Sequence, residues 1–440
     1  MHIKILESLM SQFLTGKFLA KTLAVTTTML MFGATANAAT TEQQQIQELR
    51  QEIEALKALV SQQQQVQKTQ AVQLQQVKAQ PAVESKSSII PTALTTKGGA
   101  EVKVYGFVRG DANYILNGAD SDFNDVAKVG MLGSDGKASP AQVKDKLRAT
   151  AKTTRLGLDF KTKVEGADVG GKVEMDFAGD KDALRLRHAY LTYNNWLFGQ
   201  TTSNFLSNHA PFMIDFSTNV GGGTTRLPQV RYGFNLAPET QLFIAAEKGD
   251  SSGDGIKYSV PVVTAKIAQG FADGKGSASA RALVEYYKAD TIDKKKTGWG
   301  LAGGVTYQVI DPLKLTADVS YVKGENKILY GTGATDAYVI DNDKIAQNEI
   351  WAVQTGATYS ILPNLKSTIG YGALFADKDS DYAKLNTSAN KNVQQAWINV
   401  VYSPVKPIEF GLEYVNGQRK TFNGQKFDDD RIGMMAKYSF

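Results

Sequence analysis

The sequence has no cysteine and only three histidines among its 440 residues. Without cysteine the chain can form neither disulfides nor thiolate metal ligands, and thiol catalysis is excluded. His2 lies in a segment that we expect to be removed, which leaves His188 and His209 in the mature protein. Two histidines are too few for most histidine-ligated metal centres, so we expect no metal site and no cofactor.

Proline and long apolar runs are also scarce, and the net charge is small. The chain has 11 prolines against 40 glycines, 18 tyrosines and 19 phenylalanines, which favours twisted strands and aromatic belts over helices. The formal charge is +5, and removal of residues 1–38, with three lysines and one glutamate, leaves +3, which argues against nucleic-acid binding. No segment after residue 38 is apolar enough for a transmembrane helix, so a membrane protein of this sequence must be a β-barrel.

The first 38 residues have the pattern of an export signal. Lys17 and Lys21 precede an uncharged run from Thr22 to Ala34, and Ala36-Asn37-Ala38 has the small-x-small form of a cleavage site. The alternative is a membrane anchor, but the run is threonine-rich and shorter than the roughly 20 apolar residues of a spanning helix. We therefore expect a signal peptide at 1–38.

Residues 39–80 are rich in glutamine and carry a heptad pattern. The repeating positions, in steps of three and four, are Ile46, Leu49, Ile53, Leu56, Val60, Gln63, Gln67, Gln70, Leu74 and Val77. This pattern predicts a periplasmic α-helical coiled-coil stalk, which Pro81 would end before a linker over 81–100. A disordered glutamine-rich tail is the alternative, because polar seam positions weaken a coiled coil. The seam residues favour two helices, but the residues alone leave the number open.

From residue 101 the pattern changes to the two-residue period of β-strands. In Val102–Ile115 one face is apolar and the other is largely polar, and residues 155–162 and 169–177 repeat this alternation. Alternation alone fits either a soluble sandwich or a membrane barrel.

Connection lengths distinguish the two folds. Tight turns are expected near Glu165-Gly166, Asn194-Asn195, Ala237-Pro238, Asp311-Pro312, Leu362–Asn364 and Ser403–Pro407, with a longer turn near Gly270–Lys275. Long polar connections are expected at Lys323–Gln347, Asp377–Asn392 and Asn416–Asp429. Such alternation is typical of outer-membrane barrels, which have short periplasmic turns and long external loops. We predict an all-β fold, a transmembrane antiparallel β-barrel of about 16 strands over 101–440, in the outer membrane of a Gram-negative bacterium.

The last predicted strand ends on an aromatic residue. Tyr438 and Phe440 share its apolar face, and this ending resembles the signal that the barrel-assembly machinery of outer membranes reads. The strand must pair with the first strand near Val102, because an open sheet edge in lipid would leave backbone groups unsatisfied. We therefore expect Tyr438 and Phe440 to form a C-terminal assembly signal.

If the apolar faces contact lipid, the other faces line a pore that carries many basic residues. Those expected in the pore are Arg109, Arg155, Lys172, Arg185, Arg187, Arg231 and Arg281, with Asp111, Asp159, Glu174, Asp176 and Glu285 near enough to pair with some of them. Guanidinium groups would attract anions and bind carboxylates in a forked geometry. For any single arginine, an ion pair that only cross-links the wall is an equal alternative. In the strand 184–193 the lipid-facing side is ambiguous.

The segment Thr201–Arg226 is long, partly apolar and poor in charge. A loop that projects into water would not need Phe205 and Phe212, so we predict that it folds inward as a constriction loop. We expect Phe205, Phe212, Asp215 and Arg226 to shape this constriction. Asp215 is its only acidic residue, which, with the nearby arginines, favours anions.

Four features together resemble the DcaP-like porin family: the glutamine-rich heptads, the opening strand Val104–Asp111, the segment Arg185–Tyr190 followed by Phe198-Gly199-Gln200, and the terminal Tyr438-Ser439-Phe440. The resemblance covers most of the chain. It implies a trimer of barrels with a periplasmic coiled-coil extension that takes up dicarboxylic acids and other small anions.

The sequence therefore predicts a porin for passive diffusion of small organic anions, with no catalytic residues. Its expected partners are other copies of the chain, outer-membrane lipids, the barrel-assembly machinery and the anionic solutes. One alternative is a barrel-borne hydrolase, but nothing pairs convincingly with His188 or His209 as a catalytic base. The other is an anchoring barrel whose stalk binds the periplasmic wall while side chains plug the lumen.

Overall fold

The structure is a computed structural model that describes residues 94–95, 99–131, 137, 140–207, 209–215, 220–249, 255–324, 328–332, 338–341 and 343–440. The expected signal peptide at 1–38, the stalk at 39–80 and almost all of the linker at 81–100 lie outside these residues. None of the described helices is long and apolar enough to cross a membrane.

The described residues form 21 strands and one short α-helix. In chain order they are β1 (Leu94–Thr95), β2 (Glu101–Ala119), β3 (Gln142–Thr150), β4 (Arg155–Val164), β5 (Ala167–Asp176), β6 (Arg185–Tyr193), β7 (Trp196–Thr202), β8 (Arg226–Ala237), β9 (Thr240–Glu247), β10 (Ile256–Lys257), β11 (Val262–Phe271), β12 (Gly276–Ala289), β13 (Lys294–Ile310), β14 (Leu313–Lys323), β15 (Tyr338–Asp341), β16 (Lys344–Gln347), β17 (Glu349–Leu362), β18 (Leu365–Ala376), α1 (Asp381–Leu385), β19 (Asn390–Val405), β20 (Ile408–Thr421) and β21 (Lys426–Ser439). A 3₁₀ turn covers Asp180–Asp182.

Nineteen of these strands form one sheet that closes on itself, and β15 pairs with β16 as a separate hairpin. Consecutive long strands pair antiparallel around the sheet, and β21 closes it by pairing with β2. β3 and β4 both pair with β2, along 111–119 and 101–107, so together they occupy one position in the barrel. With β1 and β10 as short additions, the barrel has 16 strands, and this confirms the predicted all-β barrel of about 16 strands.

The closing contact lies at the chain end. The backbone N–H of Phe440 donates to the carbonyl of Gly106 at 3.0 Å, and Gly106 donates back at 3.2 Å. A Cβ at position 106 would lie 2.3 Å from the Arg155 carbonyl oxygen and 2.9 Å from the Phe440 ring, so glycine is required there. Tyr438 and Phe440 are exposed on the outer face of the closed barrel.

Apolar side chains cover the outer face and polar side chains point inward, as the two-residue period predicts. On β2, Val104 and Val108 are 53% and 55% exposed, whereas Arg109 and Asp111 are 8% and 5% exposed on the inner face. The barrel therefore exposes apolar side chains on its outside, as membrane barrels do, whereas a soluble protein would expose polar side chains there.

Two rows of aromatic residues border the outer apolar band. In one row, the Tyr321 ring centroid lies 5.0 Å from those of both Trp299 and Trp351. In the other, Tyr307 and Tyr359 lie eight residues farther along β13 and β17. That separation is about 27 Å along a strand, or about 20 Å along the axis of a barrel whose strands tilt by about 40°. This spacing fits the aromatic girdles of a membrane barrel.

A β-bulge in β6 resolves which side of this strand faces outward. The pairing with β5 shifts between Glu174 and Met175, so that Arg187 is an extra residue. Before the bulge Leu184 and Leu186 are exposed on the outer face, and after it His188 lies on the inner face. One bulge therefore places Arg187 and His188 on the same side.

Seven short turns lie at one end of the barrel, which we call the turn end. They cover 165–166, 194–195, 238–239, 272–275, 311–312, 363–364 and 406–407, close to the predicted positions. The opposite end, the loop end, carries the connections 120–141, 177–184, 203–225, 248–261, 290–293, 324–348, 377–389 and 422–425.

The prediction of a long connection at Asn416–Asp429 is wrong. Strands β20 and β21 continue through this segment and leave only residues 422–425 between them. Its polar residues pair across the hairpin: Gln418 donates to Asp428 at 2.8 Å and Asn416 donates to Asp430. A strand needs only about 9–11 residues to cross a membrane, so these 14-residue strands extend beyond it.

Candidate functional site: the inward loop and the basic wall

The connection between β7 and β8 covers residues 203–225, and we call it the inward loop, because its described parts, 203–207, 209–215 and 220–225, lie inside the barrel. At its start, Glu247 on β9 accepts hydrogen bonds from the Ser203 hydroxyl and the Asn204 N–H, both at 2.6 Å. Phe205 is fully buried in an apolar cluster, and its carbonyl accepts a hydrogen bond from Arg281 on β12 at 3.1 Å. These contacts fix the start of the loop to one side of the wall.

Farther along, the same loop reaches the opposite side of the barrel. The Phe212 carbonyl accepts hydrogen bonds from Trp397 at 2.9 Å and from Asn399 at 3.2 Å, both on β19. Glu413 on β20 accepts the backbone N–H groups of Ile214 at 2.8 Å and Asp215 at 2.7 Å. Counted around the barrel from β2, β9 is the seventh of the 16 strands and β20 is the fifteenth. These two strands are half a turn apart, so the loop spans the lumen.

Two glycines seat the end of the inward loop against β17 and β18. Gly221 has a φ of +85°, and a Cβ there would lie 2.6 Å and 2.8 Å from the carbonyl oxygens of Val353 and Ala373. A Cβ on Gly222 would lie 2.5 Å from the Gln354 side chain. The glycines therefore allow a backbone-to-wall approach that other residues would block.

Most of the predicted basic residues are paired with carboxylates on the inner wall. The pairs are Arg109–Asp111 at 2.6 Å, Lys172–Asp159 at 3.0 Å, Arg185–Asp176 at 2.7 Å, Arg187–Glu174 at 2.7 Å, Arg187–Asp176 at 2.8 Å and Arg281–Asp318 at 2.5 Å. Arg109 and Arg281 also donate to carbonyls of the inward loop, at Ile214 and Phe205. These two guanidinium groups are therefore covered by the loop. Glu285, expected among the pairing acids, accepts a hydrogen bond from Tyr258 at 2.7 Å.

Four other basic residues are half-buried and less neutralised. Arg155 approaches Glu174 only at 3.4 Å and lies over the Phe107 ring at 5.1 Å. Arg226 lies within electrostatic range of Arg155, Arg185 and Arg187. Among the described residues its Nε and that of Arg155 lack a hydrogen-bond partner.

Arg231 and Lys266 form the second part of this group. They lie over the same Phe243 ring, at 5.5 Å and 5.7 Å, and both are within range of Glu247. No carboxylate of the described residues lies within 4.0 Å of Arg226, Arg231 or Lys266. We call Arg155, Arg226, Arg231 and Lys266 the basic wall.

The carboxylates inside the barrel are engaged elsewhere. Glu247 and Glu413 accept backbone N–H groups of the inward loop, and Asp318 is paired with Arg281. Asp215, the only acidic residue of the loop, accepts the Asn124 N–H at 2.8 Å and is 8% exposed. The only acidic side chain of the loop is therefore nearly covered, and Arg226, Arg231 and Lys266 remain without a carboxylate partner within 4.0 Å among the described residues.

Both histidines contact threonine hydroxyls. His188 Nδ1 lies 2.9 Å from Thr201 Oγ1, and His209 Nδ1 lies 3.2 Å from Thr306 Oγ1. Burial, together with Arg281 and Lys266, lowers the pKa of His209 on the inward loop below its ordinary value of 6.5. No three potential ligands among the described residues are grouped to hold a metal ion.

Sequence reasoning missed Lys266 and the loop anchors Trp397, Asn399 and Glu413. The alternation of β11 could have revealed Lys266, because Val263 and Ile267 are exposed on the outer face and even-numbered residues point inward. No sequence pattern marks the three loop anchors, because the wall residues that a loop contacts are brought together only when the barrel closes.

Comparison with known proteins identifies one family. The model of the family described as DcaP outer membrane protein matches residues 25–440. The outer membrane channel DcaP of Acinetobacter baumannii is 62% identical, with a TM-score of 0.74, over 79% of this chain and 100% of that one. A search of curated proteins finds no match.

Two further solved structures show the fold alone, because their sequences are distant. OmpT of Vibrio cholerae in its trimer form is 13% identical, with a TM-score of 0.50 over 78% of this chain and 99% of that one. The anion-selective porin from Comamonas acidovorans is 11% identical, with a TM-score of 0.50 over 78% of this chain and 100% of that one.

Proposed function

The chain belongs to the DcaP outer membrane protein family and is an outer-membrane channel, and from that premise we propose that it conducts small organic anions in preference to cations. One observation carries the proposal. The carboxylates described above have ion-pair or hydrogen-bond partners on the wall or on the inward loop, whereas no carboxylate of the described residues lies within 4.0 Å of Arg226, Arg231 or Lys266.

The basic wall can act on a passing anion because the inward loop narrows the lumen beside it. A guanidinium group is planar and binds a carboxylate through two parallel N–H bonds. Salt at about 0.15 M screens charges beyond about 8 Å, so a cation influences a solute only where the passage is narrow. An anion would exchange water for these donors at little cost, while the same side chains would repel a cation.

Dicarboxylic acids fit this arrangement best among small organic anions. The basic wall has two parts, Arg155 with Arg226 and Arg231 with Lys266, and a solute with two carboxylates can contact both parts in turn. Chloride would use either part alone, without the forked geometry.

Removing the charge of the basic wall tests the proposal. Arg226→Gln, Arg231→Gln and Lys266→Gln combined should shift the reversal potential in a salt gradient towards cations. The matched control replaces the exposed Lys378, Lys384 and Lys426 with glutamine, the same charge change outside the lumen. An equal shift in both variants, or none in the first, would contradict the role of the basic wall.

The remaining expectations complete the proposal. We infer a trimer, as in the OmpT trimer form and as the family resemblance implies, with residues 1–38 removed on export and a stalk over 39–80 in the periplasm. Tyr438 and Phe440, exposed on the closing strand, would be available to the barrel-assembly machinery before closure.

A further inference from the structure

The outer face at the loop end carries a row of lysines on three neighbouring strands. Lys257 is opposite Lys288 in the pairing of β10 with β12, and Lys288 is opposite Lys295 in the pairing of β12 with β13. Val284 and Tyr286, which precede Lys288 in alternate positions of β12, are exposed on the lipid-facing side. Because alternate residues of a strand share a face, the three lysines lie on that side as well. We call Lys257, Lys288 and Lys295 the lysine row.

The surroundings of the lysine row have a net positive charge. The neighbouring charged residues are Lys294, Lys296, Lys323, Asp290, Asp293 and Glu349. Lys257 pairs with Asp290, Lys288 with Asp293 at 2.7 Å, and Lys323 with Glu349 at 2.5 Å. Among these described residues, six lysines against three carboxylates leave three positive charges, carried by the exposed Lys294, Lys295 and Lys296.

An apolar groove of about 510 Å³ lies on the same outer face. Its larger lining residues are Trp196, Val230, Tyr232, Phe234, Ile244 and Val263. Val263 is opposite Val284, which lies four residues from Lys288 along β12, or about 13 Å. The groove therefore begins within the length of a lipid molecule from the lysine row.

We propose that the lysine row and this groove together bind a phosphorylated glycolipid of the outer leaflet, of the lipopolysaccharide class. The phosphates contact the lysines at the external surface, and an acyl chain lies in the groove below. Lysine ammonium groups bind phosphate as compact charges, and the part of the groove nearest the lysine row, at Val263, offers an apolar surface to an acyl chain. The loop end is external because the short turns of such barrels are periplasmic.

The arc of the barrel formed by β20 and β21 carries acidic side chains at this end and provides a control. On β20 and β21 the outward residues at the same end include Asp428 and Asp430, which would repel phosphate. Lys420 and Lys426 are opposite each other on that arc, beside Asp428. They lie at the same end of the barrel, but on strands that do not line the groove.

Binding of lipid A to the purified full-length protein in detergent tests the proposal. The probes are diphosphorylated lipid A and its dephosphorylated form, measured by native mass spectrometry. Lys257→Gln, Lys288→Gln and Lys295→Gln combined should weaken binding of the diphosphorylated form by about tenfold or more, whereas Lys420→Gln with Lys426→Gln should change it less than about twofold. The wild type should bind the dephosphorylated form as weakly as the triple variant binds the phosphorylated one.

Unchanged binding in the triple variant, equal weakening in the control, or equal affinity for the two lipid forms would overturn the proposal. Conductance of the triple variant should equal that of the wild type, because the lysine row lies outside the pore; the proposal therefore stands or falls separately from anion preference. If the triple variant does not fold, Lys295→Gln alone at its exposed position should weaken binding about twofold to threefold, and no weakening would overturn the proposal as well.

Discussion

Glu413 accepts the backbone N–H of Asp215 at 2.7 Å, and its second oxygen accepts that of Ile214 at 2.8 Å. A buried carboxylate on the barrel wall therefore holds the inward loop at the point farthest from its start. Asn399 also donates to the Glu413 carboxylate at 2.8 Å, so this carboxylate accepts three hydrogen bonds in all. We therefore expect the width of the passage beside the basic wall to depend on this contact.

Glu413→Ala should release the middle of the inward loop. Two N–H groups and Asn399 would lose their acceptor, at a cost of about 2–4 kcal/mol. We expect a larger and noisier single-channel conductance and weaker anion preference in planar bilayers. Glu409→Gln is the control, because Glu409 lies on the same strand but pairs with Lys437 near the turn end. A quiet channel of wild-type conductance in Glu413→Ala would show that other contacts hold the loop.

Arg187→Gln and Arg231→Gln should differ in what they change. Arg187 is buried and pairs with Glu174 and Asp176, so its loss leaves buried carboxylates undercompensated and should lower the free energy of unfolding by about 3 kcal/mol. Arg231 has no such partner, and its loss should lower stability by less than about 1 kcal/mol while reducing anion preference. Urea unfolding in lipid vesicles, followed by tryptophan fluorescence, measures the first effect. Equal destabilisation by both variants would contradict this division between structural and solute-facing cations.

Acidification should loosen the inward loop through His209. Burial beside Arg281 and Lys266 holds the pKa of His209 below 6.5 when the loop is docked, so the undocked loop binds a proton more readily. Docking is therefore fully favoured above pH 6.5 and weakens as the pH falls below it. Single-channel closures or noise should increase between pH 7 and pH 5 in the wild type. His209→Gln should remove this part of the pH dependence; an identical pH profile in the variant would assign it to another group.

Gly106→Val should impair closure of the barrel. Its Cβ would meet the Arg155 carbonyl at 2.3 Å, which disturbs the strand that receives the Phe440 N–H. We expect a smaller folded fraction in heat-modifiable electrophoretic mobility. Gly110→Val is the matched control, because a Cβ there meets nothing within 4 Å. Equal folding of the two variants would contradict the importance of this contact.

The barrel can be predicted well from the sequence, because side-chain alternation and turn residues are features of short segments. Alternation assigns Val104 and Val108 to the outer face, and turn residues such as Gly166 mark the turn end. The apolar residues of 201–226 predict a loop that folds inward, and Phe205 in it is buried.

The sequence predicts the pairing inside the lumen poorly because it depends on the closed sheet. Which carboxylate reaches Arg187 or Arg281 depends on strands far apart in the chain, and Asp318 gave no local signal. The bulge at Arg187 reverses the alternation without a glycine or proline to mark it. The polar residues of 416–429 look like a loop, since pairing such as that of Gln418 with Asp428 is invisible before the hairpin forms.

The reversal potential of the wild-type channel in a potassium chloride gradient tests the central claim most directly. Because the basic wall is positively charged, the sign of the potential should show that chloride permeates more readily than potassium. The size of the potential should grow as the salt concentration is lowered, because fewer ions then screen the charges of the wall. A potential of the opposite sign, or one that vanishes at low salt, would contradict an anion-preferring channel.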